Sequence, residues 1–198
     1  TKPNGLRGTY ILKSDTPLGE FKPHSKSAVT PDEWECLDGT FYVDKNGKPF
    51  IVFCHEHTQI IDGTICYAEL NDDLTAITGE VVTMFAGSEP FYIKKAPDDG
   101  HFVTDGPFIF RSKTDELFML WSTFINKQYA ECLVKFNDGE LNLNFTHLEP
   151  LIDDDGGHGM IFNDAENIYL TFHSPNKSLY ERPKFVKIKD NGDYLEIK

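Results

Sequence analysis

A unit repeated three times constrains this chain more than any other feature. Asp38-Gly39-Thr40-Phe41-Tyr42-Val43 is followed, after a polar turn at 44–49, by Phe50-Ile51-Val52-Phe53. Asp105-Gly106-Pro107-Phe108-Ile109-Phe110 leads, after a second turn, into Leu117-Phe118-Met119-Leu120-Trp121. His158-Gly159-Met160-Ile161-Phe162 leads, after a turn at 163–167, into Ile168-Tyr169-Leu170-Thr171-Phe172. Each copy is an ionisable residue, a glycine, an apolar run, a polar turn and a second apolar run. Short apolar runs bounded by turn residues read as buried strands. Asp38, Asp105 and His158 are therefore expected at the same place in three copies of one unit.

Two more strands complete each copy: 64–70 and 81–85, then 129–136 and 141–145, then 185–188 and 194–197. Asn46-Gly47, Asp138-Gly139 and Asn191-Gly192 are hairpin signals between them. Four antiparallel strands recurring after 67 and then 53 residues are the pattern of propeller blades, here with long loops. The predicted organisation is one partial, all-β propeller domain, with blades at 31–100, 101–150 and 151–198. Residues 1–30 are predicted to be the tail of a preceding blade. A strand is expected at 8–13, where Gly8-Thr9-Tyr10-Ile11 lines up with Gly63-Thr64-Ile65-Cys66. Loop is expected over 20–33, with Pro23 and Pro31 as breakers. About three and a half blades fall short of the four or so that close a ring. The expectation is an N-terminal segment outside these residues, or self-association.

Composition agrees with strands. Aromatics make up 13% of the chain, including 16 Phe, and aromatics favour sheets. A net charge of −13 argues against nucleic acid and against an anionic membrane surface as partners. No apolar run approaches the roughly 20 residues of a membrane-spanning helix. Cys36, Cys54, Cys66 and Cys132 form no Cys-x-x-Cys pair, so buried free thiols are expected. The location of the protein is left open, because a secreted or periplasmic one needs a signal upstream of Thr1.

In a propeller the innermost strands line a central channel, so Asp38, Asp105 and His158 are expected to meet on its axis. One Asp-Gly alone is an ordinary turn. Three equivalent ionisable residues, each before an apolar strand, point instead to a site. Paired carboxylates facing one pocket suit glycosidic bond hydrolysis, in which one protonates the leaving oxygen.

Leu37-Asp38-Gly39, Thr104-Asp105-Gly106-Pro107 and Gly157-His158-Gly159, in this order and on this repeat, resemble glycoside hydrolase family 43. The similarity is to its arabinofuranosidase, β-xylosidase and endo-xylanase D-like members. The resemblance implies a five-bladed propeller and an inverting glycosidase that acts on arabinosyl, xylosyl or galactosyl linkages of plant-type oligo- or polysaccharides. It implies no required cofactor. Asp38 matches the Asp that tunes the general acid, and Asp105 the acid itself. His158 matches a His near the axis that binds a central calcium or sodium ion directly or through water. The family's general base belongs to a blade that would precede Thr1.

The family acid is Glu, and Asp105 is one methylene shorter, which withdraws its carboxyl by about 1.5 Å. Glu56, beside His55 and His57, is the alternative acid; its bland reading is a solvated loop carboxylate. Trp34 and Phe91 are expected to stack on sugar, while Trp121 reads as core. His55 and Arg182 join the expected substrate-binding residues, although a loop salt bridge accounts equally well for Arg182. The rival functions are an inactive or sugar-binding propeller remnant and a protein-binding scaffold.

Overall fold

A computed structural model describes residues 1–164 and 166–198. The turn expected at 163–167 includes Ala165, which lies outside the described residues. Three four-stranded antiparallel sheets follow one another along the chain, each with its strands in sequence order. The first comprises β3 (Cys36–Val43), β4 (Pro49–His55), β5 (Thr64–Leu70) and β6 (Ile77–Ala86). The second comprises β7 (Asp105–Arg111), β8 (Leu117–Ile125), β9 (Gln128–Phe136) and β10 (Phe145–His147). The third comprises β11 (Gly157–Asn163), β12 (Ile168–Ser174), β13 (Arg182–Asp190) and β14 (Leu195–Ile197). The innermost strands β3, β7 and β11 adjoin in that order.

Side-chain alternation explains how the sheets stack. Along β8, Leu117, Met119 and Trp121 enter a core shared with Val52, Cys54, Ile65 and Phe85 of the first sheet. Phe118 and Leu120, on its other face, enter a core shared with Ile161, Leu170 and Ile188 of the third. A strand buried on both faces reads as a continuous apolar run, as β8 does. β4 does the same, turning Ile51 and Phe53 toward Val29 and Cys36 in a third core layer.

Several limits differ from the sequence expectation. Of 8–13 only β1 (Leu12–Lys13) is strand, and it pairs with β2 (Lys22–Pro23) in a separate two-stranded ribbon. Pro23 is tolerated there because an edge strand spares its missing N–H. The strand expected at 141–145 begins only at Phe145. The Asn144 amide instead bonds Asn142 Oδ1 at 2.7 Å, and Asn142 Nδ2 bonds Asp138 at 2.8 Å. These side chains offer the backbone an alternative to the ladder. The polar stretch after β4 forms a single helical turn, α1 (His57–Ile60). All four cysteines are free and buried. Phe53, not Cys54, is opposite Cys66, so the two thiols point to different faces.

Candidate active site

Each innermost strand carries a bulge at its start. In β3 the register shifts between Leu37 and Thr40, in β7 between Asp105 and Phe108, and in β11 between Gly157 and Met160. Two residues then oppose one on the neighbouring strand, which bends the strand and re-aims its side chains. The left-handed residue of each bulge is Asp38 (φ 53°), Gly106 (φ 48°) and His158 (φ 56°). This corrects the expectation of strict equivalence. Asp38 and His158 share a place, but in the second copy that place belongs to Gly106, and Asp105 sits one residue earlier. The bulge in β7 is made by Gly106-Pro107, so the alignment of ionisable residues was one position out.

The three side chains nevertheless converge. One ligand atom from each of Asp38, Asp105 and His158 lies within 4.8 Å of the others. His158 Nδ1 is 3.2 Å from Asp105 Oδ1. The Tyr129 hydroxyl donates to Asp105 Oδ2, and the Gly106 amide donates to Asp38 Oδ2 at 3.5 Å. Gly106 is required twice. Its φ is left-handed, and a Cβ there would lie 2.8 Å from Cδ2 of the His158 ring.

The charges in the cluster are uneven. Burial, reinforced by contact with Asp105, pushes the Asp38 carboxyl up to about 7. Burial also works to raise Asp105, but hydrogen bonds from His158, Asp38 and Tyr129 outweigh it and hold Asp105 well below the usual carboxylate range. The bond to Asp105 raises the His158 imidazole to about 9, against its partial burial. Asp38 is thus the more readily protonated carboxyl of the pair and Asp105 the more readily ionised, beside an imidazole drawn toward its charged form.

Asp38, Asp105 and His158 could each offer one ligand atom to a cation, and water or groups from elsewhere would have to complete the shell of a calcium ion. Such an ion takes about six to eight oxygens, whereas three side chains converge here. His158 Nδ1 lies against Asp105 Oδ1.

Glu56 lies at the end of the first sheet, just before α1. It is buried and pairs with Arg7 Nη2 at 3.3 Å. Burial raises its carboxyl, Arg7 opposes this, and the negative charge of Asp105 adds to the rise. It is therefore not a solvated loop carboxylate. His55 is buried and bonds Gln59 at 2.8 Å. Trp34 stacks on it, ring centroids 4.1 Å apart, and packs against the third core layer. One face of the Trp34 indole is thus already covered. Phe91 is 56% exposed. Arg182 bonds the carbonyls of Leu179 and Glu181, so the expected loop salt bridge is replaced by backbone contacts. Tyr129 and Arg7 escaped the sequence reading. Tyr129 is one of many strand aromatics, and Arg7 is an isolated cation far in sequence from Glu56.

A family model described as glycosyl hydrolases family 43 matches residues 1–139. The chain belongs to glycosyl hydrolase family 43. It is similar to an endo-arabinase from Bacteroides thetaiotaomicron, with 36% identity and a TM-score of 0.88, over 96% of this chain and 70% of that one. A thermostable family-43 glycoside hydrolase superposes with a TM-score of 0.81 at 16% identity, over 99% of this chain and 68% of that one. An endo-1,4-beta-xylanase from Bacteroides thetaiotaomicron superposes with a TM-score of 0.75 at 18% identity, over 93% of this chain and 65% of that one. The last two establish the fold alone. No curated protein sequence matches. The fold is the family's five-bladed β-propeller, of which the three sheets are blades, and the family member is a glycosidase.

Proposed function

We propose that this chain supplies the acid side of an inverting glycosidase active site that cleaves arabinosyl linkages in plant-type polysaccharide. The observation that carries the reading is the convergence of two carboxyls, Asp38 and Asp105, with His158, one ligand atom of each within 4.8 Å of the others, where burial raises the Asp38 carboxyl. A general acid must hold a proton near neutral pH and lose it to the leaving oxygen. The pair does this jointly. In this reading Asp38 holds the proton, being the carboxyl that burial raises, and Asp105, its side chain 27% exposed against 6% for Glu56, is the carboxyl more open to substrate. This alters the roles implied by the resemblance, where Asp105 alone is the acid and Asp38 only tunes it. His158 compensates the negative charge left on the pair after transfer. Glu56 remains the alternative acid; its pairing with Arg7 and its burial favour a supporting role.

No further carboxylate among the described residues joins the cluster. We take the base that activates water to come from another blade, at the roughly 6.5–9.5 Å that inversion requires. The third sheet leaves Met160, Phe162 and Phe185 exposed, a face of the kind that a further blade, or a second copy, would cover. The proposed chemistry calls for no cofactor. The choice of arabinosyl over xylosyl or galactosyl linkages is supported by the 36% identity to the endo-arabinase.

A cleft of 620 Å³ between the 92–103 loop and the β8–β9 hairpin is lined by none of Asp38, Asp105 and His158, and we take it as a candidate outlying subsite of a polymeric substrate. Phe124, Lys127 and His101 line it, and His101 lies 5.8 Å from the His57 ring beside Glu56. The test is the proton-coupled hydrolysis of linear arabinan, with the anomer of the first product read by NMR. Release of the inverted anomer supports the reading. Saturable arabinan binding without any hydrolysis would establish the binding remnant instead.

A further inference from the structure

Glu131 is the most buried carboxylate in the chain and belongs to none of the three bulges. It lies on β9, two strands out from the channel, opposite Ser122 on β8; Ser122 in turn is opposite Asp105 on β7. Asp105, Ser122 and Glu131 thus form a row across the second blade. The row meets β11 of the third blade at its bulge. Glu131 Oε2 accepts the Gly159 amide at 2.7 Å and the Ser122 hydroxyl at 3.2 Å. Ser122 Oγ accepts the His158 amide at 2.7 Å. Two consecutive bulge amides, freed from the β11–β12 ladder by the register shift, are therefore both satisfied from the neighbouring blade.

We infer that Glu131 is a positioning residue that, with Ser122, locks the β11 bulge and so aims His158 at Asp105. A non-glycine residue at φ 56° is held against its local backbone preference. The two amide bonds are what hold it there. Gly159 permits the approach, since a Cβ at that position would lie 2.7 Å from Glu131 Oε2. The arrangement needs an acceptor at Oε2 rather than a negative charge. Burial pushes the Glu131 carboxyl up to about 8, and Oε1 has no partner among the described residues. A neutral side chain of the same shape should serve as well.

The inference rests on the proposed function only for its kinetic consequence. The experiment therefore combines backbone amide hydrogen exchange with kinetics on arabinan, for the full chain and its E131Q, E131A and S122A variants. E131Q presents the same acceptor and is expected to keep Gly159 protected and kcat within about threefold of the parent. E131A and S122A are expected to speed exchange at Gly159 and His158 respectively and to lower kcat by about 10–100-fold, the range for loss of a residue that orients a functional ligand, with KM little changed. Should E131A not fold, E131Q and S122A still carry the test. Protection of both amides unchanged in E131A or S122A overturns the inference. So does E131Q as impaired as E131A, which would make the charge and not the acceptor essential. If no variant, parent included, cleaves arabinan with the base-bearing blade present, the proposed function fails, while the exchange data still decide the role of Glu131.

Discussion

Replacing His158 by Asn removes the imidazolium while keeping a residue that tolerates a left-handed φ. The imidazole is raised from 6.5 to about 9, chiefly by its bond to Asp105. Taken at face value, a rise of that size corresponds to roughly 3 kcal/mol of preference for the charged form in the fold. The side chain is 40% exposed, so solvent screening reduces the retained stability to about 1 kcal/mol. The sign follows from linkage. A raised folded pKa gives stability that is fully present below the unfolded value near 6.5 and lost as pH rises through about 9. Urea unfolding at pH 6 should therefore show the parent more stable than H158N by about 1 kcal/mol, or about 2–4 °C in Tm. At pH 10 the difference should vanish. Asp38, raised to about 7, adds its own loss of stability at lower pH, and this is complete before the interval between pH 8 and 10. A difference between parent and H158N that stays constant from pH 6 to pH 10 would refute the ion pair with Asp105.

Three further outcomes are expected. Y129F removes the hydroxyl donor to Asp105 and should allow that carboxyl to rise, lowering kcat by about 10-fold, the worth of one hydrogen bond to a charged group; an unchanged pH–rate profile would contradict this. G106A places a Cβ against the His158 ring at a left-handed φ and should cost about 2 kcal/mol by urea unfolding, with activity falling further than stability. A neutral stability change there would show that the bulge is not constrained. The four thiols, raised by burial in every case, should resist an aromatic disulfide reagent in the native protein and all react in denaturant; fast reaction of any one in the folded state would show that it is reachable.

The blades were legible because their strands obey period-two burial on both faces. Leu117 through Trp121 could only be a strand between two layers. The convergence of Asp38, Asp105 and His158 was legible for the same reason, since the repeat itself places innermost strands side by side. Their local equivalence was not. A bulge depends on where two residues oppose one, and Gly106-Pro107 shifts that point without altering the apolar pattern. The rise of the Asp38 carboxyl was equally hidden, because it depends first on burial and then on the approach of Asp105 from the next sheet. Glu131 carries no motif at all. It reads as a single polar position between Tyr129-Ala130 and Cys132-Leu133-Val134, and its partners lie 9 and 28 residues away. The stacking of one face of Trp34 on His55 was not legible either, since the two residues lie 21 positions apart in sequence.

The most direct test of the central claim is the rate of linear arabinan hydrolysis by D38N and D105N beside the parent, with circular dichroism to confirm folding. If the two carboxylates share the leaving-group proton, both variants should lose at least about 100-fold in kcat, the lower bound for removing a general acid. An aryl arabinoside with a good leaving group should restore much of that loss, because its departure needs little protonation. Full arabinan activity in either folded variant would contradict the account.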